Sequence, residues 1–173
     1  MNRSTLLAEA VEQSRTLLAR YLPGFTDANR TTQAPGLPNH FAWNLGHLAL
    51  TMHRVAGMID GKDLPQGDFI KDSVKGDSSH FGTESVCFGS VPTDEPARYP
   101  GVERCVAVFD AAVARLAGAA RTADDATLDR AVPWGKATST PGALTMRMAF
   151  HNGVHCGQIV DLRRALKLGN VLS

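Results

Sequence analysis

The stretch FHNGVHCGQI, residues 150–159, carries two of the chain's six histidines, His151 and His155, four residues apart. Four residues is just over one helical turn, so on a helix both imidazoles lean over the same strip of surface. At about 100° per residue, this strip continues in both directions as one mainly apolar stripe: Leu144, Met148, His151, His155, Ile159, Leu162 and Leu166. The stretch therefore predicts a helix that turns both imidazoles toward a core.

Buried imidazoles need partners, because an unpaired buried polar group costs roughly 1–3 kcal/mol. The two rings are either hydrogen-bonded core histidines or half of a metal site, since adjacent helical turns place both rings around one point. The neighbouring Cys156 points about 100° away from His155. This direction favours a small buried apolar side chain over a nucleophile.

Apolar residues recur at three- and four-residue steps in three further segments, and each of these predicts an amphipathic helix. The predicted helices run from about Leu6 to Tyr21 before Pro23 and Gly24, from Asn39 as N-cap to about Asp60, from Val102 to Arg121, and from Thr140 and Pro141 to about Leu168. No alternating strand pattern competes with them. The sequence thus predicts an all-α four-helix bundle that forms one domain over residues 1–173.

The link between the second and third helices, residues 61–100, is long for a compact domain. It is rich in Gly, Pro, Asp and Ser, yet it contains Phe69, Phe81 and Phe88. Because these phenylalanines can anchor it, we expect a packed excursion over one end of the bundle. A shorter polar link, residues 122–139, contains Trp134.

Composition limits the classes of partner. The 18 basic and 17 acidic residues nearly cancel, so no nucleic-acid partner is expected. The N-terminus has no apolar core of a signal peptide, and no window approaches the roughly 18 apolar residues of a membrane-spanning helix. Cys87, Cys105 and Cys156 are odd in number and widely spaced, which indicates no disulfide framework and favours the cytoplasm.

A third metal ligand would have to come from a facing helix. On the second helix, His47 lies on a polar strip that borders the apolar stripe, together with His40 and Asn44. His47 is therefore either an inward ligand or part of a polar helix edge. His53 falls almost opposite the inward face and is predicted to be solvated, whereas periodicity cannot place His80.

Two segments resemble the DinB/YfiT-like family. LPNHFAWNLGHLALTMHRVAG, residues 37–57, is similar to that family's second helix, with its Asn-x-x-x-Trp-x-x-Gly-His-Leu pattern. FHNGVHCGQIVDLRRALKLG, residues 150–169, is similar to its last core helix, with His-x-x-x-His-x-Gly-Gln-Ile. The resemblance runs from the first helix to Gly169. It implies a bundle that holds one divalent metal ion, usually nickel or zinc, on His47, His151 and His155.

The resemblance also implies a range of functions. Related proteins include metal-dependent hydrolases and S-transferases that use low-molecular-weight thiols such as bacillithiol, mycothiol or glutathione. We therefore expect an enzyme that acts on a small electrophilic substrate through metal-activated water or thiolate. The alternative is a non-catalytic metal-binding stress-response or sensor module. Relatives are often dimeric, so a homodimer is expected.

Histidine ligands usually hydrogen-bond through their second ring nitrogen. Asn44 and Gln158 lie one turn from His47 and His155 and are candidates for these partners. Both could equally be surface polar residues. No catalytic group beyond the three histidines can be identified from the sequence.

Overall fold

A computed structural model describes residues 2–171 of the chain. Its long helices are α1 (Arg3–Ala19), α2 (Phe41–Asp60), α4 (Val102–Thr122) and α6 (Pro141–Ala165), and two short helices, α3 (Thr83–Val86) and α5 (Asp125–Asp129), lie in the links. Both α1 and α2 pack against α4 and α6. The all-α four-helix bundle is therefore confirmed. None of the described helices is long and apolar enough to cross a membrane.

The start of α2 lies one residue later than predicted. Its N-cap is His40, not Asn39, and the His40 Nδ1 accepts a hydrogen bond from the Trp43 N–H at 3.1 Å. Asn39 instead donates to the Gln158 side chain on α6 at 2.8 Å. At the start of α6 the prediction is confirmed, because Thr140 caps the helix through the Ala143 N–H.

Helix α2 lies at the centre of the fold. Every residue from position 40 to position 56 is buried except Arg54. A helix that is buried on all sides needs cover on the face that points away from the bundle. The link 61–100 provides this cover.

Within this link, β1 (Phe69–Ile70) and β2 (Phe81–Gly82) pair in parallel, and a single 3₁₀ turn spans Pro96–Arg98. Phe69 and Phe81 are buried, as expected of anchors, but Phe88 is 92% exposed. The prediction that Phe88 anchors the link is therefore wrong. The link approaches α2 most closely at Gly46, where an added Cβ would lie 2.6 Å from the Phe81 Cε1.

The prediction that His53 is solvated is also wrong. Its side chain is only 2% exposed, with Nε2 3.8 Å from an Asp68 carboxylate oxygen and Nδ1 3.3 Å from the Arg115 guanidinium. The Phe69 ring lies edge-on to it at 5.9 Å. Periodicity placed His53 correctly on the outer face of α2, but it gave no sign that the link folds back over this face.

The second link is more ordered than its polar composition suggested. After α5, a hairpin forms from β3 (Val132–Trp134) and β4 (Ala137–Ser139). Gly135, with φ +61°, occupies its tight turn, a conformation that glycine adopts without a steric penalty. The hairpin carries Trp134 to the mouth of a cavity beside α2 and α6.

Candidate metal centre

Helices α2 and α6 bring three histidines together. One ring nitrogen from each of His47, His151 and His155 lies within 4.8 Å of the others. The ring centroids are 4.7–5.2 Å apart. His47 and His155 are almost fully buried, and His151 is half-buried. Among the described residues, no other group of three potential ligands converges in this way.

The ring of His47 is held by the link and by its own helix. Its Nδ1 lies 2.8 Å from the Val86 carbonyl oxygen. A carbonyl only accepts hydrogen bonds, so Nδ1 carries the proton and Nε2 keeps its lone pair. The Trp43 indole stacks on one face of the ring, with centroids 4.6 Å apart and planes 9° apart.

The ring of His155 is oriented by Asn44. Its Nδ1 lies 2.6 Å from the Asn44 side-chain oxygen, while the Asn44 amide nitrogen donates to the His40 carbonyl at 3.0 Å. The amide is thus orientated with its oxygen toward the ring, so Nδ1 is protonated and Nε2 keeps its lone pair. Asn44 does orient one of the three histidines, but this is His155 across the bundle rather than His47 on its own helix.

His151 faces His155 directly, with the two Nε2 atoms 3.1 Å apart. Its Nδ1 is buried and has no hydrogen-bond partner among the described residues. Burial, followed by the nearby His47 and Arg147, lowers the pKa of His151 to about 4. Burial and the two neighbouring imidazoles lower the pKa of His155 to about 3.

All three rings are therefore neutral near pH 7, because burial and the Arg54 charge also lower the pKa of His47. Neutral imidazoles whose ring nitrogens converge on one point are the form that binds a divalent ion of the zinc or nickel type. The residues present fit such an ion. Three ligands from the protein would leave further coordination positions open.

A cavity of about 580 Å³ opens beside His47 and His151. Its size lies within the range of pockets that hold small organic molecules. Its other lining residues come from α2, α6, the hairpin and the link: Thr51, Arg54, Met58, Phe88, Pro133, Trp134, Gly135, Arg147 and Met148. Sequence reasoning missed Arg54, Arg147 and the hairpin. The one available signal was a charged residue, Arg54, within an otherwise buried helix.

The three cysteines and the other histidines lie outside the cluster of His47, His151 and His155. Cys156 is buried as predicted, and burial raises the pKa of its thiol, which disfavours the reactive thiolate. All three cysteines are free. His40 caps α2, and His80 pairs with Asp77 in the link.

Comparisons with known proteins agree with this architecture. A family model described as the DinB superfamily matches residues 10–159. A crystal structure of a conserved protein from Enterococcus faecalis superposes with a TM-score of 0.71 at 15% sequence identity, covering 96% of this chain and 98% of that chain. At this identity the likeness extends to the fold alone. No curated protein sequence matches the chain.

Proposed function

This chain belongs to the DinB superfamily, and we propose that it is a metal-dependent enzyme whose single divalent ion, nickel or zinc, is held by His47, His151 and His155. The observation that carries the proposal is the convergence of the three neutral imidazoles beside a cavity. The cavity favours an enzyme over a non-catalytic metal-binding module, because a module that only stores or senses an ion needs no space for a second molecule.

The chain's own residues prepare this site for a nucleophile. Val86 and Asn44 hold two of the rings with their Nε2 lone pairs free, and the buried Trp43 indole closes one side of His47. When bound, the ion supplies Lewis acidity, which makes a water or a thiol nucleophilic at neutral pH. The cavity offers room for a small electrophilic substrate.

The lining of the cavity supports the thiol S-transferase over the hydrolase. Among the described residues that line it, none is an aspartate, glutamate or cysteine. Hydrolysis of an ester or amide also requires a proton for the leaving group, which a nearby general acid usually supplies. A thiolate that displaces a halide or adds to an activated double bond needs no such side chain, because a halide leaves without a proton and an adduct can take its proton from solvent. A low-molecular-weight thiol is therefore the proposed cosubstrate.

The test is a transfer assay on zinc-loaded and nickel-loaded protein. Bacillithiol, mycothiol and glutathione are each mixed with 1-chloro-2,4-dinitrobenzene, and conjugate formation is followed by absorbance. Ester hydrolysis is measured in parallel. The expected result is conjugation with at least one thiol, and its loss in His151→Ala. Turnover that persists in His151→Ala contradicts the proposal, and so does the absence of both reactions in metal-loaded protein.

A further inference from the structure

Two arginines that line the cavity have no hydrogen-bond or ion-pair partner among residues 2–171. Ten of the thirteen arginines in the sequence donate hydrogen bonds to carboxylates or backbone carbonyls. Over residues 2–171, Arg20, Arg54 and Arg147 are the arginines for which the structure gives no such bond. Two of these three line the same cavity as His47 and His151.

The packing of α2 against α6 brings Arg54 and Arg147 to similar heights along the bundle. The helices are antiparallel, because Asn39 contacts Gln158 while Asn44, further along α2, contacts the earlier residue His155. Continued in the same direction, this register brings Arg54 opposite Arg147. Arg54 lies about 10 Å beyond His47 along α2, and Arg147 lies about 6 Å from His151 along α6.

The charges of this pair are not compensated within the cavity. Its described lining includes no carboxylate, and the Thr51 hydroxyl already donates to carbonyls of its own helix. Two like charges at similar heights repel each other, and an anion between them removes this repulsion. The planar fork of a guanidinium matches a carboxylate, which can accept two parallel hydrogen bonds from it.

We propose that the small molecule bound in this cavity carries a carboxylate, which Arg54 and Arg147 hold, while its reacting end lies at the three histidines. Met58, Met148 and Trp134 also line this cavity and fit the apolar part of such a molecule. The position of the reacting end rests on the proposed function. The carboxylate site rests on the two arginines alone.

The experiment measures binding rather than turnover. Zinc-loaded protein is titrated by calorimetry with 6-mercaptohexanoate and with 6-mercaptohexan-1-ol, which has the same length and no charge. The wild type should bind the acid about tenfold more tightly than the alcohol, a modest ratio because both arginines are exposed to solvent. In the double variant Arg54→Gln with Arg147→Gln, the affinities for the acid and the alcohol should converge.

Arg20→Gln is the matched control, because Arg20 is the third arginine with no such bond to the described residues and lies at the end of α1, outside the cavity. It should keep the preference of the wild type. Equal affinities for the acid and the alcohol in the wild type overturn the carboxylate site and leave the proposed function standing. A preference that survives in the double variant, or that is lost in Arg20→Gln, overturns it as well.

If neither thiol binds, the proposed use of a thiol cosubstrate is wrong. The arginine pair is then tested with ligands that carry no thiol. Adipate and its uncharged diamide are titrated into the same protein. A preference for adipate that the double variant loses supports the carboxylate site, and equal affinities overturn it.

Discussion

Replacing Asn44 by leucine should weaken metal binding much more than it weakens the fold. The leucine has a similar shape but cannot accept the hydrogen bond from the His155 Nδ1–H, now 2.6 Å long. The buried donor left behind costs roughly 1–3 kcal/mol of folding free energy. The His40 carbonyl loses the hydrogen bond from the Asn44 side chain but still accepts one from the Asn44 backbone N–H. No second unsatisfied group is therefore created.

Asn44→Leu should weaken zinc binding more, in relative terms, than it lowers the free energy of unfolding. The Asn44 oxygen selects the His155 tautomer that leaves the Nε2 lone pair free, and the leucine removes this acceptor. Loss of such a partner typically lowers metal affinity by about 10–100-fold. Asn44→Asp keeps an acceptor at the same place and should bind zinc at least as tightly as the wild type. Zinc affinity is measured by competition with a chromophoric chelator, and stability by urea unfolding of the metal-free protein.

Asn152→Leu is the matched control for Asn44→Leu. Asn152 is also a fully buried asparagine, but its side chain donates to the Ser14 hydroxyl and to none of the three histidines. This variant should lose some stability and keep its zinc affinity. Wild-type zinc affinity in Asn44→Leu, or an equal loss in Asn152→Leu, would refute the orienting role of Asn44.

Three further predictions concern packing, pH and association. Gly46→Ala should destabilise the protein by about 1–3 kcal/mol in urea unfolding, because its Cβ would meet the buried Phe81 ring. Gly118→Ala, on the open face of α4, should instead stabilise the protein by about 0.5–1 kcal/mol. Equal effects of the two substitutions would contradict the close approach of Phe81 to Gly46. Burial lowers the pKa of His53 to about 4, so below pH 6.5 the unfolded chain binds a proton that the folded chain does not, and stability falls as the pH drops toward 4. His53→Gln should reduce the loss between pH 7 and pH 5 by roughly 1–2 kcal/mol, and an unchanged loss would show that His53 is not the titrating group. We also predict a homodimer whose interface covers Phe150, a side chain that is 71% exposed in the single chain. Light scattering should give a dimer mass for the wild type and a monomer mass for Phe150→Glu. A monomeric wild type at micromolar concentration would prove the dimer prediction wrong.

The four helices could be predicted from the sequence because each has one apolar stripe at the helical period and recognisable ends. Thr140 followed by Pro141 marks the start of α6, and the same periodicity correctly placed His155 in the core. The position of His47 could not be settled by periodicity, since it borders the apolar stripe. Its approach to the other two rings depends on how α2 packs against α6, which is a tertiary property.

The parts that sequence reasoning missed all depend on where the links fold. His53 is buried because residues 61–100 return over α2, and no local pattern encodes this return. Phe88 lines the cavity and is exposed, although an aromatic side chain within a polar link suggests an anchor. The hairpin at Trp134 forms part of the cavity wall. Its strands are too short to give a recognisable pattern within the polar link.

The metal content of the protein shows whether His47, His151 and His155 hold one divalent ion. The wild type is purified without a chelating tag and analysed for bound elements, beside His47→Ala, His151→Ala, His155→Ala and the control His80→Ala in the exposed part of the link. We expect one divalent ion per chain in the wild type and in His80→Ala, with a sharp drop in the other three variants. Full metal content in His47→Ala, or an equal loss in His80→Ala, would contradict it.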